Sequence, residues 1–176
     1  MKKIADFFLS NLITNQKFNS TSPNNDKTLL VPDFYSAIEK CIAIFNKTYP
    51  NTGIDFTETY RSNALQLIHF NNGASKIRKN GMHHYGIAAD CIFVVNGKRT
   101  YKGDITLLRK IYKENGLFIL GTWDALHVQF MDVPNQQNLR DTVTGSIKIF
   151  QTKHNLSVTG EVDNATIAKA KQVFGQ

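Results

Sequence analysis

The sequence predicts an α+β fold: a small, mainly antiparallel sheet with packed helices, followed by a small all-α unit. Three observations carry this expectation. Apolar residues recur at helical spacing in several segments. Short alternating runs between them read as strands. The pair Asn96-Gly97 stands between two such runs, and that pairing marks a β-hairpin. At 176 residues the chain is long enough for one sizeable core with a small second unit left over.

Taken in order, MKKIADFFLSNLI predicts an amphipathic helix on Ile4, Phe7, Phe8, Leu9 and Leu12. Asp6, Ser10 and Asn11 interrupt its apolar run and no small-residue cleavage site follows, so it is read as part of the fold rather than as a secretory signal. FNSTSPNNDKT, residues 18–28, reads as an exposed loop. Asp33 is the expected N-cap of a long helix reaching residue 48, with Phe34, Ala37, Ile38, Cys41, Ile42 and Phe45 at core spacing. GIDFTETYRS gives a short strand, and Ser62 caps the helix NALQLIHF that follows. A strand from Asp90 to Val95 turns at Asn96-Gly97 and returns through Lys98 to Tyr101. Residues 104–115 form an amphipathic helix capped by Asp104 and stopped by Gly116. LHVQF alternates and supplies a last strand. From residue 136 a polar, linker-like stretch leads into two short helical patterns, IKIFQTKHNL and VDNATIAKAKQVF. The expected domains are therefore 1–135 and 136–176.

Composition narrows the function classes. No apolar segment approaches the ~20 residues that span a bilayer. The two cysteines, Cys41 and Cys91, sit among apolar residues and read as buried small hydrophobes, not as a disulfide framework. The formal charge of +7 is spread along the chain. It suits approach to a polyanion but forms no dense Lys/Arg stripe of the kind that reads nucleic acid.

Candidate chemistry centres on GMHHYGIAADCIFVVNG, residues 81–97, and TWDALHVQF, residues 122–130. His83 stands ahead of Asp90 across a Gly-containing loop, and Asp124 and His127 stand at the mouth of the last strand. Imidazole and carboxylate suit Zn²⁺, and His83, Asp90 and His127 would leave a fourth position open, as catalytic zinc sites do. Adjacent residues at a strand entry point apart, which makes His84 a neighbour. Asp124 is then spare. If Trp123 to Ala125 turn, it reaches the same site and serves as the proton carrier. Arg61, at the end of its strand, is the candidate for stabilising an oxyanion. Each residue also has a plain structural use: two surface residues beside a turn, a turn cap at Asp124, a structural ion pair at Arg61.

The segment HHYGIAAD matches the H-x-x-G-x-A-x-D pattern of the zinc D,D-peptidase family, which includes D-alanyl-D-alanine carboxypeptidases and phage L-alanyl-D-glutamate endolysins. TYRSNALQ, with Arg61 and Gln66, and DALH resemble two further pieces of that family, in the same order, over roughly residues 54–130. Gly81 stands where the family carries serine, and Leu126 where proline often precedes the last histidine. The resemblance implies a Hedgehog/D,D-peptidase-like fold, one Zn²⁺ on His83, Asp90 and His127, Asp124 as general base and Arg61 near the substrate carbonyl. It implies substrate contacts at Tyr60, Ser62 and Gln66. IKIFQTKHNLSVTGEVDNATIAKA is similar to a peptidoglycan-binding helical module. Together these imply a cell-wall hydrolase of endolysin type, cutting the L-Ala/D-Glu bond of the stem peptide, with a D-Ala/D-Ala carboxypeptidase or a non-catalytic zinc-holding wall-binding module as alternatives. The expected partner is peptidoglycan, and the expected state a monomer made in the cytoplasm and released or delivered to the wall or periplasm. A delivery apparatus and a guarding inhibitor protein fit the same setting.

Overall fold

A computed structural model describes residues 1–175. In chain order it contains α1 (Lys2–Phe7), α2 (Pro32–Thr48), β1 (Thr52–Glu58), α3 (Asn63–Asn71), β2 (Ala88–Val95), β3 (Lys98–Thr100), α4 (Ile105–Glu114), β4 (His127–Gln129), α5 (Gln136–Lys153) and α6 (Asn164–Phe174). This is the expected α+β architecture, with six α-helices and one four-stranded antiparallel sheet among the described residues. None of these helices is long and apolar enough to cross a membrane. Two compact units divide the chain. One comprises Pro23–Arg61 and Met82–Asp132, and the other Met1–Ser22, Ser62–Gly81 and the chain from Val133 onward. The segment from residue 136, expected as a small helical unit of its own, shares its compact unit with the N-terminal helix and with α3.

The first of these units holds the sheet. β2 is its centre: β1 pairs with one edge, while β4 and β3 pair with the first and last thirds of the other. Asn96 and Gly97 both have positive φ (50° and 74°), the two-residue turn whose twist matches the flanking strands. Side chains alternate across a strand, so Cys91 and Phe93 face opposite to Asp90. Phe93 packs on Phe45 of α2 with ring centroids 5.8 Å apart. Phe34, Ile38, Cys41 and Phe45 bury one stripe of α2. Leu108, Ile111 and Tyr112 bury the matching face of α4, whose Leu107 N–H donates to the Asp104 cap at 2.9 Å. Both cysteines are free and buried. Burial pushes the thiol of Cys41 up to about 11 and that of Cys91 to about 12, so neither is reactive near neutral pH.

One expected cap moves. α2 begins at Pro32, with Val31 at the N-cap position and Asp33 inside the first turn. Proline's fixed φ and missing N–H suit the first helical position, so the helix starts before Asp33. Asp33 places a favourable negative charge in the first turn.

In the other unit α1 continues as a π-helical turn over Phe8–Leu12, burying Ile4, Ala5, Phe8, Leu9 and Leu12. The stretch expected to be a polar linker is the first half of α5, an 18-residue helix. Its Leu139, Val143, Ile147 and Phe150 are all buried, and a spacing of four, four and three keeps them on one face. α1 packs against α5. Gln151 is fully buried and closes the turn toward α6: its amide oxygen accepts from the N–H groups of Thr159 and Gly160. Asp163 caps α6 through Thr166 N–H at 2.7 Å.

Candidate metal centre

Strand register builds most of the site. Asp90 on β2 is directly opposite Glu58 on β1 and His127 on β4, so the three residues form one row across adjacent strands. The position of Glu58 depends on a bulge. Phe56 pairs with Cys91, and the register slips by one before Glu58 pairs with Asp90. Without the extra residue Glu58 would share the core face of Phe56. The bulge transfers it to the face of Asp90.

His83 arrives from outside the row. It lies in a single 3₁₀ turn, Met82–Tyr85, which ends at Gly86. Gly86 takes φ +66°, a conformation that costs any side chain with a Cβ, and its carbonyl accepts the Val31 N–H at 2.8 Å. That reversal lets the chain enter β2 within two residues, and the loop imidazole reaches the strand carboxylate.

The donor atoms converge. His127 Nδ1 lies 2.9 Å from Asp90 Oδ1, and His83 Nε2 lies 3.4 Å from the same oxygen. One donor atom from each of His83, Asp90 and His127 falls within 4.8 Å of the others. Both separations from Asp90 are less than the ~4 Å that two metal–ligand bonds of 2.0–2.2 Å can span. His83 supplies the clearest test of fit. It is 5 % exposed, and neither ring nitrogen has a hydrogen-bond partner. An imidazole buried without partners is costly unless something takes its lone pair. A divalent cation shared with a carboxylate and a second imidazole meets that need, so the residues fit the expected ion.

The surroundings are polarised. Burial alone would raise the Asp90 carboxyl, but His83 and His127 outweigh it and hold the group well below the usual carboxylate range. Burial would lower His127, yet its bond to Asp90 and the charges of Asp90 and Asp124 raise it above its ordinary value. A 3₁₀ turn over Thr122–Asp124 supplies the bend that the sequence required, and brings Asp124 Oδ2 to 3.8 Å from His127 Nδ1. Asp124 is the more open of the two carboxylates, with 37 % of its side chain exposed. Burial pushes it up; His127, His83 and Arg61 pull it back, and Asp90 adds to the rise. The net shift is upward.

Arg61 faces the row rather than solvent. Its Nε donates to Glu58 Oε2 at 2.8 Å, and its Nη2 lies 3.3 Å from Asp90 Oδ2. Asp90 therefore presents Oδ1 to the histidines and Oδ2 to the guanidinium. Tyr60, Ser62 and Gln66, the expected substrate contacts, make hydrogen bonds within the protein. Tyr60 is 2 % exposed, with its hydroxyl 3.4 Å from Nδ1 of His84. Burial pushes His84 down to about 4, leaving it neutral. Ser62 and Gln66 belong to the other unit. There Ser62 caps α3 by accepting the Leu65 N–H, and the Gln66 amide donates to Ser75 Oγ and the Ile77 carbonyl. A Cβ at Gly81 would come within 3.2 Å of Gln66 Oε1, so a serine there would press on that amide.

Two residues of the site were not foreseen from the sequence. Glu58 anchors Arg61, and its i, i+3 spacing was a usable signal. Gln129 accepts at His127 Nε2 across 3.1 Å, and the alternation in His-Val-Gln places the two on one strand face.

No family model matches the sequence, and no curated protein matches it. Among solved structures, the chain is similar to the L-Ala D-Glu endopeptidase ChiX of Serratia marcescens, with 19 % sequence identity and a TM-score of 0.47, over 65 % of this chain and 89 % of that one.

Proposed function

We propose that this protein is a zinc-dependent peptidase that hydrolyses an amide bond in the stem peptide of bacterial peptidoglycan, the L-Ala/D-Glu bond in particular. The observation that supports it best is the convergence of His83, Asp90 and His127 beside a partly open carboxylate, Asp124. A purely structural zinc site is closed by four protein ligands and has no use for an acid next to an open position. The choice of polymer and bond rests on the motif resemblance.

His83, Asp90 and His127 would hold the ion. The Lewis acidity that such an ion supplies polarises a carbonyl and makes water acidic near neutral pH. The chain's own groups do the rest. The carboxylate of Asp124, its pKa raised chiefly by burial, accepts the proton of the attacking water and later delivers it to the departing amine. Glu58 fixes Arg61, and Arg61 holds Asp90 in one orientation while keeping a positive charge beside the carbonyl oxygen as negative charge develops there. The net charge of +7 favours approach to an anionic envelope, in keeping with an endolysin-type enzyme released or delivered to the wall.

The test is mass spectrometry of purified peptidoglycan after incubation with the zinc-loaded protein. The expected products carry a free L-Ala carboxyl and a new D-Glu amine. Loss of terminal D-Ala instead would shift the assignment to a carboxypeptidase, and unchanged wall peptides would defeat the enzymatic reading.

A further inference from the structure

Gln129 follows His127 by two residues on β4 and is 3 % exposed. Its amide orientation is set from both ends. The amide nitrogen donates to the Met131 carbonyl, so the amide oxygen is the atom turned toward His127 Nε2, at 3.1 Å. An amide oxygen can only accept, and Nε2 must therefore carry its proton. The neutral imidazole that would ligate a cation has one N–H and one lone pair, and with the N–H held on Nε2 the lone pair it offers is on Nδ1. Nδ1 is the nitrogen that faces Asp90 Oδ1 at 2.9 Å and Asp124 Oδ2 at 3.8 Å. The backbone of Gln129 is pinned as well: it exchanges two hydrogen bonds with Phe118, of 2.8 and 2.9 Å.

We infer that Gln129 is a positioning residue of the metal centre: by holding Nε2–H of His127, it commits Nδ1 to the cation and fixes the ring plane. This rests on the reading of His83, Asp90 and His127 as metal ligands and assigns the tautomer and its keeper. The other unforeseen residue plays the same part on the neighbouring ligand. Glu58 fixes Arg61, and Arg61 occupies the Asp90 oxygen that is turned from the histidines. Two of the three ligands thus have their second donor atom tied to protein, as metal-binding side chains generally do.

The experiment uses the full chain and measures zinc affinity by competition with a chromophoric chelator, alongside the visible absorption of the Co²⁺-substituted protein. Gln129→Leu removes the acceptor but keeps both backbone bonds. It should weaken zinc binding roughly 10- to 100-fold and alter the Co²⁺ bands, while Gln129→Glu, which retains an acceptor oxygen, should return affinity to within about threefold of the native protein. Native affinity in a folded Gln129→Leu protein would overturn the inference and leave the metal centre standing. No zinc binding by the native protein would overturn both. Nitrogen-detected imidazole NMR of the native zinc-loaded protein needs no variant: His127 should show a protonated Nε2 and a metal-shifted Nδ1, and the reverse pattern would overturn the assignment.

Discussion

At the scale of single residues the division of labour between ligands and base is open to direct test. Asp124 lies outside the trio whose donor atoms converge and is the more exposed carboxylate, whereas His83 belongs to that trio and its ring nitrogens make no hydrogen bond. Asp124→Ala should therefore retain zinc and lose hydrolysis by roughly 10²- to 10⁴-fold, the usual worth of a positioned acid–base group. His83→Ala should lose both, as read by metal analysis and product formation. Full activity in Asp124→Ala would remove it from the mechanism. A second expectation follows from His127, whose pKa is raised, and Asp90, whose pKa is lowered. In the metal-free protein a raised histidine contributes stability that is fully present below its unfolded value, about 6.5, and is lost as pH rises through the folded value. A lowered aspartate contributes above its unfolded value, about 3.9, and loses this as pH falls. The pair therefore stabilises the metal-free fold best between about pH 4 and 6.5. Zinc must displace the proton on Nδ1, so its contribution grows as pH rises. Melting with chelator should show Tm falling above neutrality, and melting with zinc should not. Parallel profiles would show that proton and metal do not compete at His127. His83, Asp90, Asp124 and His127 were legible in the sequence because ligand chemistry restricts residue type and the loop between the first two is short. Glu58 was missed despite its spacing from Arg61, because strict alternation puts it on the core face with Phe56 and only the bulge brings it round.

At the scale of elements the decisive device is the turn that joins His83 to β2. Gly86 at φ +66° reverses the chain after the 3₁₀ turn, and Gly97 at φ +74° does similar backbone work in the hairpin at the other end of β2. Gly86→Ala and Gly97→Ala should each cost about 1–2 kcal/mol through the left-handed conformation alone. Their consequences for the metal centre should differ. Gly86→Ala shifts a ligand-bearing loop and should weaken zinc binding beyond its effect on Tm, whereas Gly97→Ala should lower Tm and leave zinc affinity unchanged. Equal affinities in both variants would show that the turn is not what sets the separation of His83 from Asp90. Most elements were legible, since caps at Ser62 and Asp104 and the Asn96-Gly97 turn act through local chemistry. The first half of α5 was not. Its polar composition resembles a linker, and the buried stripe of Leu139, Val143 and Ile147 is thin enough to be missed against that background.

At the scale of the whole chain, sequence order and packing order part company. Composition changes at residue 136, but the helices beyond that point share a unit with residues 1–22 and 62–81. The reason is apolar surface. α1 and its π-helical turn bury Ile4, Ala5, Phe8, Leu9 and Leu12, and α5 is the long helix against which α1 packs. About 40 residues alone bury too little to fold independently, and borrowing the N-terminal helix is one way to complete such a core. A chain ended after Asn135 should consequently lose more than the residues removed. Each side chain of the size of Phe8 or Leu12 that returns to water forfeits about 1.5–3 kcal/mol, enough in sum to unfold what remains of that unit. Hydrogen exchange resolves the outcome by segment. In the truncated chain the amides of residues 4–14 should exchange rapidly, while those of β2, whose neighbours β1, β3, β4, α2 and α4 all lie in the other unit, should keep their protection. Protection retained at Phe8 and Leu12 would show that the N-terminal helix does not depend on α5, and that the wall-binding role expected of residues 136–176 could be removed without disturbing the fold.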